Sequence, residues 1–172
     1  MGLKDIKVCL NTLGDDESRA NYRSALKEYF APYVDELCGD CKRRYEQNPL
    51  RILDCKVDHD HECMKNAPKM SDYLNEASQE YFNTVCELLD KLEIPYEVDD
   101  KLVRGLDYYT HTVFEIVSMN KEMGAQSTVL AGGRYDGLIS YFGGPEGMSG
   151  IGWALGMERL LIALEAEGVE LE

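Results

Sequence analysis

The sequence lacks two features that would place it in broad classes of protein, a long apolar run and an excess of basic residues. No stretch approaches the roughly 20 consecutive apolar residues that a transmembrane helix needs, and no apolar segment follows the first residues as in a signal peptide. Lys and Arg number 18 against 32 Asp and Glu, which gives a net charge of −14. Because non-specific nucleic-acid binding depends on neutralising phosphates, this balance argues against a broadly basic surface. We expect a cytoplasmic protein that does not contact membranes.

The glycine pattern of dinucleotide-binding folds is also missing, since neither GxGxxG nor a parallel βαβ unit is present. Paired glycines do occur at Gly132 and Gly133. They predict a tight turn whose backbone a ligand could approach closely. The hydrophobic content of 44% favours a folded chain over a disordered one.

The six cysteines are expected to be thiols, because disulfides are rare inside cells. A CxxC pair with cysteines and histidines downstream resembles the spacing of zinc ligands. A second compact CxxC or HxxxH pair is missing, and acidic residues crowd the histidines. We therefore expect no bound metal, and structural zinc remains the alternative. The cluster in question is Cys38, Cys41, Cys55, His59, His61 and Cys63.

The first hundred residues predict one strand followed by helices. Turn residues with a potential N-cap separate the strand from the first helix. The last helix carries apolar residues at i, i+3 and i+4 spacing, and Ser71 is its predicted N-cap. The predicted elements are a strand over 4–10 and helices over 16–30, 40–47 and 72–92.

After residue 100 the pattern changes to strands. Residues 108–117 are rich in β-branched and aromatic side chains, and alternation places Tyr108 on one face and Tyr109 on the other. A returning strand is predicted over 128–131. A third strand from Ser149 leads directly into a helix that stops at Gly168, with Met157, Leu160, Leu161 and Leu164 on its buried side.

Three groups of charged residues are candidates for function. Arg104 and Asp107 precede a strand, where a rigid sheet would fix what the loop presents, although an ordinary surface turn is an equal alternative. Arg159 lies in the first turn of a helix, where its charge opposes the helix dipole, so a buried or ligand-facing role is expected. The only dense basic cluster, Lys42, Arg43 and Arg44, is most simply a solvated helix face.

Together these segments resemble the histidyl-tRNA synthetase family. Arg104–Tyr109 is similar to the first histidine-specific motif of that family, and Ala131–Leu138 is similar to the second. Gly152–Leu161 resembles motif 3 of class II aminoacyl-tRNA synthetases, and Asn48–Lys56 resembles a segment of the family's helical insertion domain. The resemblance covers nearly the whole chain, in matching order and spacing.

The resemblance implies an α+β fold, in which a helical insertion unit is attached to part of a class II antiparallel sheet with a C-terminal helix. Residues 1–14 would be a catalytic-domain strand, 15–100 the insertion domain, and 101–172 the last part of the catalytic domain. Counterparts of class II motifs 1 and 2 are absent. The chain is therefore expected to be a piece of a longer enzyme and inactive by itself.

The implied parent is a homodimer that activates histidine with ATP and Mg²⁺, then transfers it to the 3′ end of tRNA(His). A histidine-sensing paralogue, such as the regulatory subunit of ATP phosphoribosyltransferase, is the alternative. By resemblance Arg104 is catalytic and binds the histidine carboxylate, Arg159 binds ATP, and Lys42, Arg43 and Arg44 are candidates for tRNA contact. The implied histidine pocket is Arg104, Tyr108, Tyr109, Gly132, Gly133 and Tyr135. His111 is expected to be structural, and Asp107 to anchor Arg104 or a backbone amide.

Overall fold

The structure, a computed structural model, describes residues 2–124 and 127–169. Its strands form one sheet in the spatial order β2-β1-β3-β4-β5, in which β1 and β2 are parallel and the other neighbours antiparallel. This mixed architecture confirms the predicted fold class. Within the described ranges, no helix is long and apolar enough to cross a membrane. The strands are β1 (Ile6–Thr12), β2 (Tyr96–Val98), β3 (Thr110–Ser118), β4 (Thr128–Tyr135) and β5 (Gly150–Leu155).

The first helix begins where the sequence predicts, because Asp15 accepts a hydrogen bond from the backbone N–H of Ser18 at 2.8 Å. Short 3₁₀ helices connect the next α-helices, at Ala31–Glu36, Pro49–Ile52 and Met70–Tyr73, and another lies at Lys121–Met123. The α-helices are α1 (Asp16–Phe30), α2 (Gly39–Gln47), α3 (Glu62–Lys65), α4 (Glu76–Lys91), α5 (Leu138–Tyr141) and α6 (Met157–Ala166).

The predicted start of α4 is wrong by one turn. Its N-cap is Asn75, whose side chain accepts from the backbone N–H of Ser78 at 2.9 Å, whereas Ser71 lies in a 3₁₀ helix. The backbone N–H of Asn75 donates to the Ser18 hydroxyl, and its amide donates to Asp15 at 2.7 Å. Contacts with α1 and its N-cap therefore make Asn75, and not Ser71, the N-cap of α4.

Two predictions about β-structure also fail. Gly132 and Gly133 are not a turn, since β4 continues through them and pairs with β3 and β5 on its two sides. The parallel strand β2 was missed, because three residues after a helix carry no clear alternation, and its pairing with β1 across the intervening helices overturns the expectation that no parallel βαβ unit is present. β2 pairs with β1 although it lies inside the range assigned to the helical unit, so the division at residue 100 stays a prediction.

The main core joins the sheet to the helical unit. Buried residues of β1 and β3, such as Cys9 and Val113, belong to the same cluster as Tyr22, Phe30 and Met70 from the helical part. A smaller cluster packs α6 against β4 through Leu160, Ala163 and Leu164. Met157 and Leu161 were predicted on the buried side but are 60% and 44% exposed, since only one narrow side of α6 packs against the sheet.

Candidate functional site

Small residues line one face of β4 and β5. Gly133 pairs with Gly152, and the alternation of side chains places Ala131 and Ala154 on the same face. A Cβ on Gly133 would lie 2.7 Å from Cδ1 of Tyr109, and a Cβ on Gly152 would lie 2.8 Å from the Tyr135 hydroxyl. The glycines are therefore required because two tyrosines lie directly on the sheet. We call this face the glycine floor.

Three tyrosines meet above the glycine floor. The ring centroids of Tyr108 and Tyr109 are 4.6 Å apart, and Tyr135 packs edge-on against both at 5.7 and 6.4 Å. A hydrogen bond with Tyr109, followed by burial, raises the pKa of Tyr108. The phenol therefore stays protonated at neutral pH and can donate or accept a hydrogen bond.

The two adjacent tyrosines do not lie on opposite faces of a strand, as alternation predicted. They precede β3, which begins at Thr110. The register then shifts between Thr110 and Val113, where His111 has a positive φ of 50°. A pattern of apolar and polar residues cannot reveal this bulge, because the bulge interrupts the two-residue alternation of side chains on which such a prediction depends.

Arg104 is held against the sheet by a carboxylate. Its Nη1 pairs with Oε1 of Glu115 on β3, and the Thr128 hydroxyl on β4 donates to Oε2 of Glu115 at 2.8 Å. Both charged side chains are mostly buried, at 23% and 19% exposure. Nε of Arg104 is buried without a hydrogen-bond partner among the described residues. Unsatisfied buried donors are rare in native folds, and a catalytic role is one of the reasons why they occur.

Asp107 does not anchor Arg104. Its carboxylate instead accepts from the side-chain amide of Asn48, in the segment between α2 and the following 3₁₀ helix. Asn48, Asp107, Arg104 and Tyr109 line one narrow cleft. Asp107 thus connects the motif to the helical unit. Glu115 takes the anchoring role, and the available signal was a charged residue inside the apolar run Val113–Val117.

A cavity of about 810 Å³ opens on the other side of Tyr108. Its walls come from the start of α1, the β3 bulge and α5. Of the residues predicted to bind histidine, only Tyr108 lines it. His111 also faces it, 3.9 Å from Asp136, and burial lowers the pKa of His111.

The remaining predicted residues lie away from the tyrosines. Gly132 faces the opposite side of the sheet, where a Cβ would lie 2.6 Å from the Cβ of Trp153. Arg159 is half-buried in the first turn of α6, with its stem 3.4 Å from where a Cβ on Gly156 would be. Its stem therefore packs beside the residue that connects β5 to α6.

The basic triplet on α2 is partly engaged in the fold. Arg44 donates to the backbone carbonyl of Arg51 at 2.9 Å, and Lys42 donates to that of Asp35 at 2.9 Å. Arg43 is 63% exposed and pairs with Asp40. Lys42 and Arg43 are the exposed members, whereas Arg44 stabilises the packing of α2.

The cysteine and histidine cluster separates into two groups. Potential ligand atoms of Cys38, Cys41, Cys55 and Asp58 all lie within 4.8 Å of one another. The other group pairs Nδ1 of His61 with Sγ of Cys63 at 3.0 Å. His59 is exposed and lies next to Asp60.

A mostly antiparallel sheet whose last strand leads into a helix with an arginine in its first turn has the architecture of a class II aminoacyl-tRNA synthetase. A family model described as histidyl-tRNA synthetase matches residues 6–160, so the chain belongs to that family.

Relatives agree with this assignment. A histidine–tRNA ligase from Bacillus cytotoxicus is 57% identical over 171 residues, which are 99% of this chain and 40% of the relative. The solved structure of apo histidyl-tRNA synthetase from S. aureus is 44% identical, with a TM-score of 0.74 over 99% of this chain and 41% of that one. An ATP phosphoribosyltransferase regulatory subunit/histidyl-tRNA synthetase from Bacillus halodurans shares the fold, with 21% identity and a TM-score of 0.52 over 96% of this chain and 45% of that one. The chain therefore spans about 40% of the length of the curated relative.

Proposed function

We propose that the full-length protein is a histidine–tRNA ligase, which forms histidyl-adenylate from histidine and ATP and transfers the histidyl group to tRNA(His). The observation that supports this is the convergence of three separate segments on one face of the sheet. Tyr109 of the first segment lies on Gly133 of the second, and Tyr135 of the second lies on Gly152 of the third. Each segment resembles a different motif of the family.

In the first step the histidine carboxylate attacks the α-phosphorus of ATP, and pyrophosphate leaves. The protein must position the reactants and stabilise negative charge on the phosphoryl oxygens. Arg104 suits this role because Glu115 fixes one end of its guanidinium while Nε remains unsatisfied among the described residues. A planar fork binds two oxygens at once, which lysine cannot reproduce.

Histidine recognition is assigned to the tyrosine cluster. A neutral phenol can donate to or accept from an imidazole nitrogen, so the pocket needs no charged partner. Tyr109 is our first choice for this contact and Tyr108 the second, with Tyr135 and Gly133 completing the wall, whereas Gly132 is left out because it faces the opposite side of the sheet. Arg159 is assigned to the outer phosphates of ATP, which would enter with Mg²⁺.

The partners follow from the same proposal. The full-length protein would be a cytoplasmic homodimer, and the exposed side chains Lys42 and Arg43 would meet tRNA phosphates, with Arg44 supporting them. The 172-residue chain contains no counterpart of class II motifs 1 and 2. We therefore expect it to be inactive by itself.

Histidine-dependent ATP–pyrophosphate exchange by the full-length protein tests the proposal. Arg104→Lys should lower the exchange rate by about 10²–10³-fold, as expected when one donor that stabilises transition-state charge is lost. Lys91→Arg, an exposed change on α4, is the control and should exchange normally. Histidine binding without any exchange by the unaltered protein would refute the ligase and favour the histidine-sensing paralogue.

A further inference from the structure

Three cysteines and one aspartate from two separate segments converge inside the helical unit. Cys38 and Cys41 lie at the start of α2, and Cys55 and Asp58 follow the 3₁₀ helix Pro49–Ile52. Their potential ligand atoms all lie within 4.8 Å of one another. We call this group the thiol cluster.

Two distances inside the thiol cluster match those of a tetrahedral metal site. With Zn–S bonds of about 2.3 Å, two sulfur ligands on a tetrahedron are about 3.8 Å apart, and a sulfur and an oxygen ligand about 3.5 Å apart. The sulfurs of Cys38 and Cys55 are 3.7 Å apart, and the Cys55 sulfur is 3.6 Å from an Asp58 oxygen. Both distances are within 0.1 Å or so of the tetrahedral values.

The backbone around the cluster stabilises charged ligands. The N–H of Cys38 donates to both oxygens of Asp58, at 3.1 and 3.2 Å, which orients the carboxylate. The N–H of Asp58 donates to the Cys55 sulfur at 3.4 Å. Such outer hydrogen bonds to ligand atoms are a regular feature of metal sites.

We propose that Cys38, Cys41, Cys55 and Asp58 bind one Zn²⁺ ion with a structural role. Three thiolates and one carboxylate supply four ligands, the full set of a closed structural site. Cys41 and Cys55 are buried, while Cys38 and Asp58 are half-buried and leave a path for the ion. This proposal replaces the sequence-based expectation of free thiols.

A structural ion fits the fold of this region. Between α1 and α4 the described chain forms only short helices and 3₁₀ turns, of nine residues or fewer. An ion on the thiol cluster would connect the start of α2 to the segment after Ile52, and its binding energy would add to the stability of a region with little regular structure.

The geometry disfavours two other uses of these residues. A disulfide between Cys38 and Cys55 would need the sulfurs about 2.05 Å apart, and it would leave Cys41 unpaired. The ligand set predicted from spacing included histidines, but His61 is not part of the thiol cluster. It bonds instead to Cys63, and it lies 3.3 Å from Glu36.

The test is the zinc content of the full chain, expressed with added zinc, purified under reducing conditions without chelator, and measured by elemental mass spectrometry. We expect one zinc ion per chain. Cobalt substitution should give the thiolate charge-transfer band and the intense visible bands of a tetrahedral site. Cys38→Ser and Asp58→Asn, both at half-buried positions, should lower zinc retention at least tenfold during dialysis against a weak chelator.

Two cysteine variants outside the cluster are the matched controls. Cys63→Ser is buried like Cys41 and belonged to the sequence-based ligand set, and Cys86→Ser is half-buried on α4. Both should retain one zinc ion per chain. Zinc-free protein with all six thiols titratable, a Cys38–Cys55 disulfide found by mass spectrometry, or loss of zinc in Cys63→Ser but not in Cys38→Ser would each overturn the proposal.

Discussion

Gly133→Ala tests whether the glycine floor exists to seat the tyrosines. The added methyl group would lie 2.7 Å from Cδ1 of Tyr109 and 2.8 Å from the backbone carbonyl oxygen of Thr112. Real Cβ atoms do not approach other heavy atoms this closely, so the ring and the strand must both move. The φ of Gly133 is not positive, so the cost comes from packing alone.

The expected magnitude combines two opposing terms. Overpacking a tight site costs about 1–3 kcal/mol, whereas replacing glycine by alanine stabilises by about 0.4–1 kcal/mol through the unfolded chain. With central values of about 2 and about 0.7 kcal/mol, the net loss is about 1.3 kcal/mol. For a chain of this size, that loss lowers Tm by about 3–5 °C.

Thermal unfolding of the 172-residue chain measures this loss. Gly137→Ala is the matched control, because nothing lies within 4 Å of a Cβ there and its φ is −98°. Its Tm should stay the same or rise slightly. In the full-length protein, Gly133→Ala should raise the KM for histidine more than the KM for ATP, because the displaced ring is Tyr109. Equal Tm values for the two variants would refute the packing argument.

Two further predictions concern the helical unit. Although burial opposes it, hydrogen bonds from Ser18 and Asn75 lower the pKa of Asp15 to about 2. Asp15 therefore contributes stability above pH ~4 that is lost as the pH falls toward 2. Asp15→Asn should remove this step from the pH dependence of the unfolding free energy, and an unchanged profile would contradict the assignment. In the full-length protein, Lys42→Gln with Arg43→Gln should weaken tRNA binding and reduce its salt slope by about two. The exposed Lys91→Gln is the control, and an unaltered slope in the double variant would exclude phosphate contact.

Local signals predicted much of the fold. The first helix was located correctly because its cap, Asp15, acts on residues within its own turn. The start of α4 was misplaced because Ser71 and Asn75 are both good caps, and contacts with Ser18 and Asp15 decide between them. Those partners lie about 60 residues earlier, where no periodicity could reveal them.

The site was predicted from motifs, and its geometry was not. Resemblance selected Arg104 and the tyrosines as candidates, but adjacent glycines suggested a turn because their usual use is conformational freedom. Here Gly133 provides space for a ring from a residue 24 positions earlier. The composition of the thiol cluster was mispredicted for a similar reason. Spacing along the chain suggested histidines as ligands, whereas the fold places Asp58 next to the cysteines.

The position of Arg104 depends on the register of the sheet. A regular ladder continued from the pair Glu115–Ala131 would place Val129 opposite Val117, on the face of Glu115. The register shift instead places Thr128 there. The Thr128 hydroxyl can then bond Glu115, and Val129 turns to the other face, where it is 4% exposed in the α6 cluster. One bulge therefore supplies both the partner that orients the Glu115–Arg104 pair and an apolar contact that holds the helix carrying Arg159.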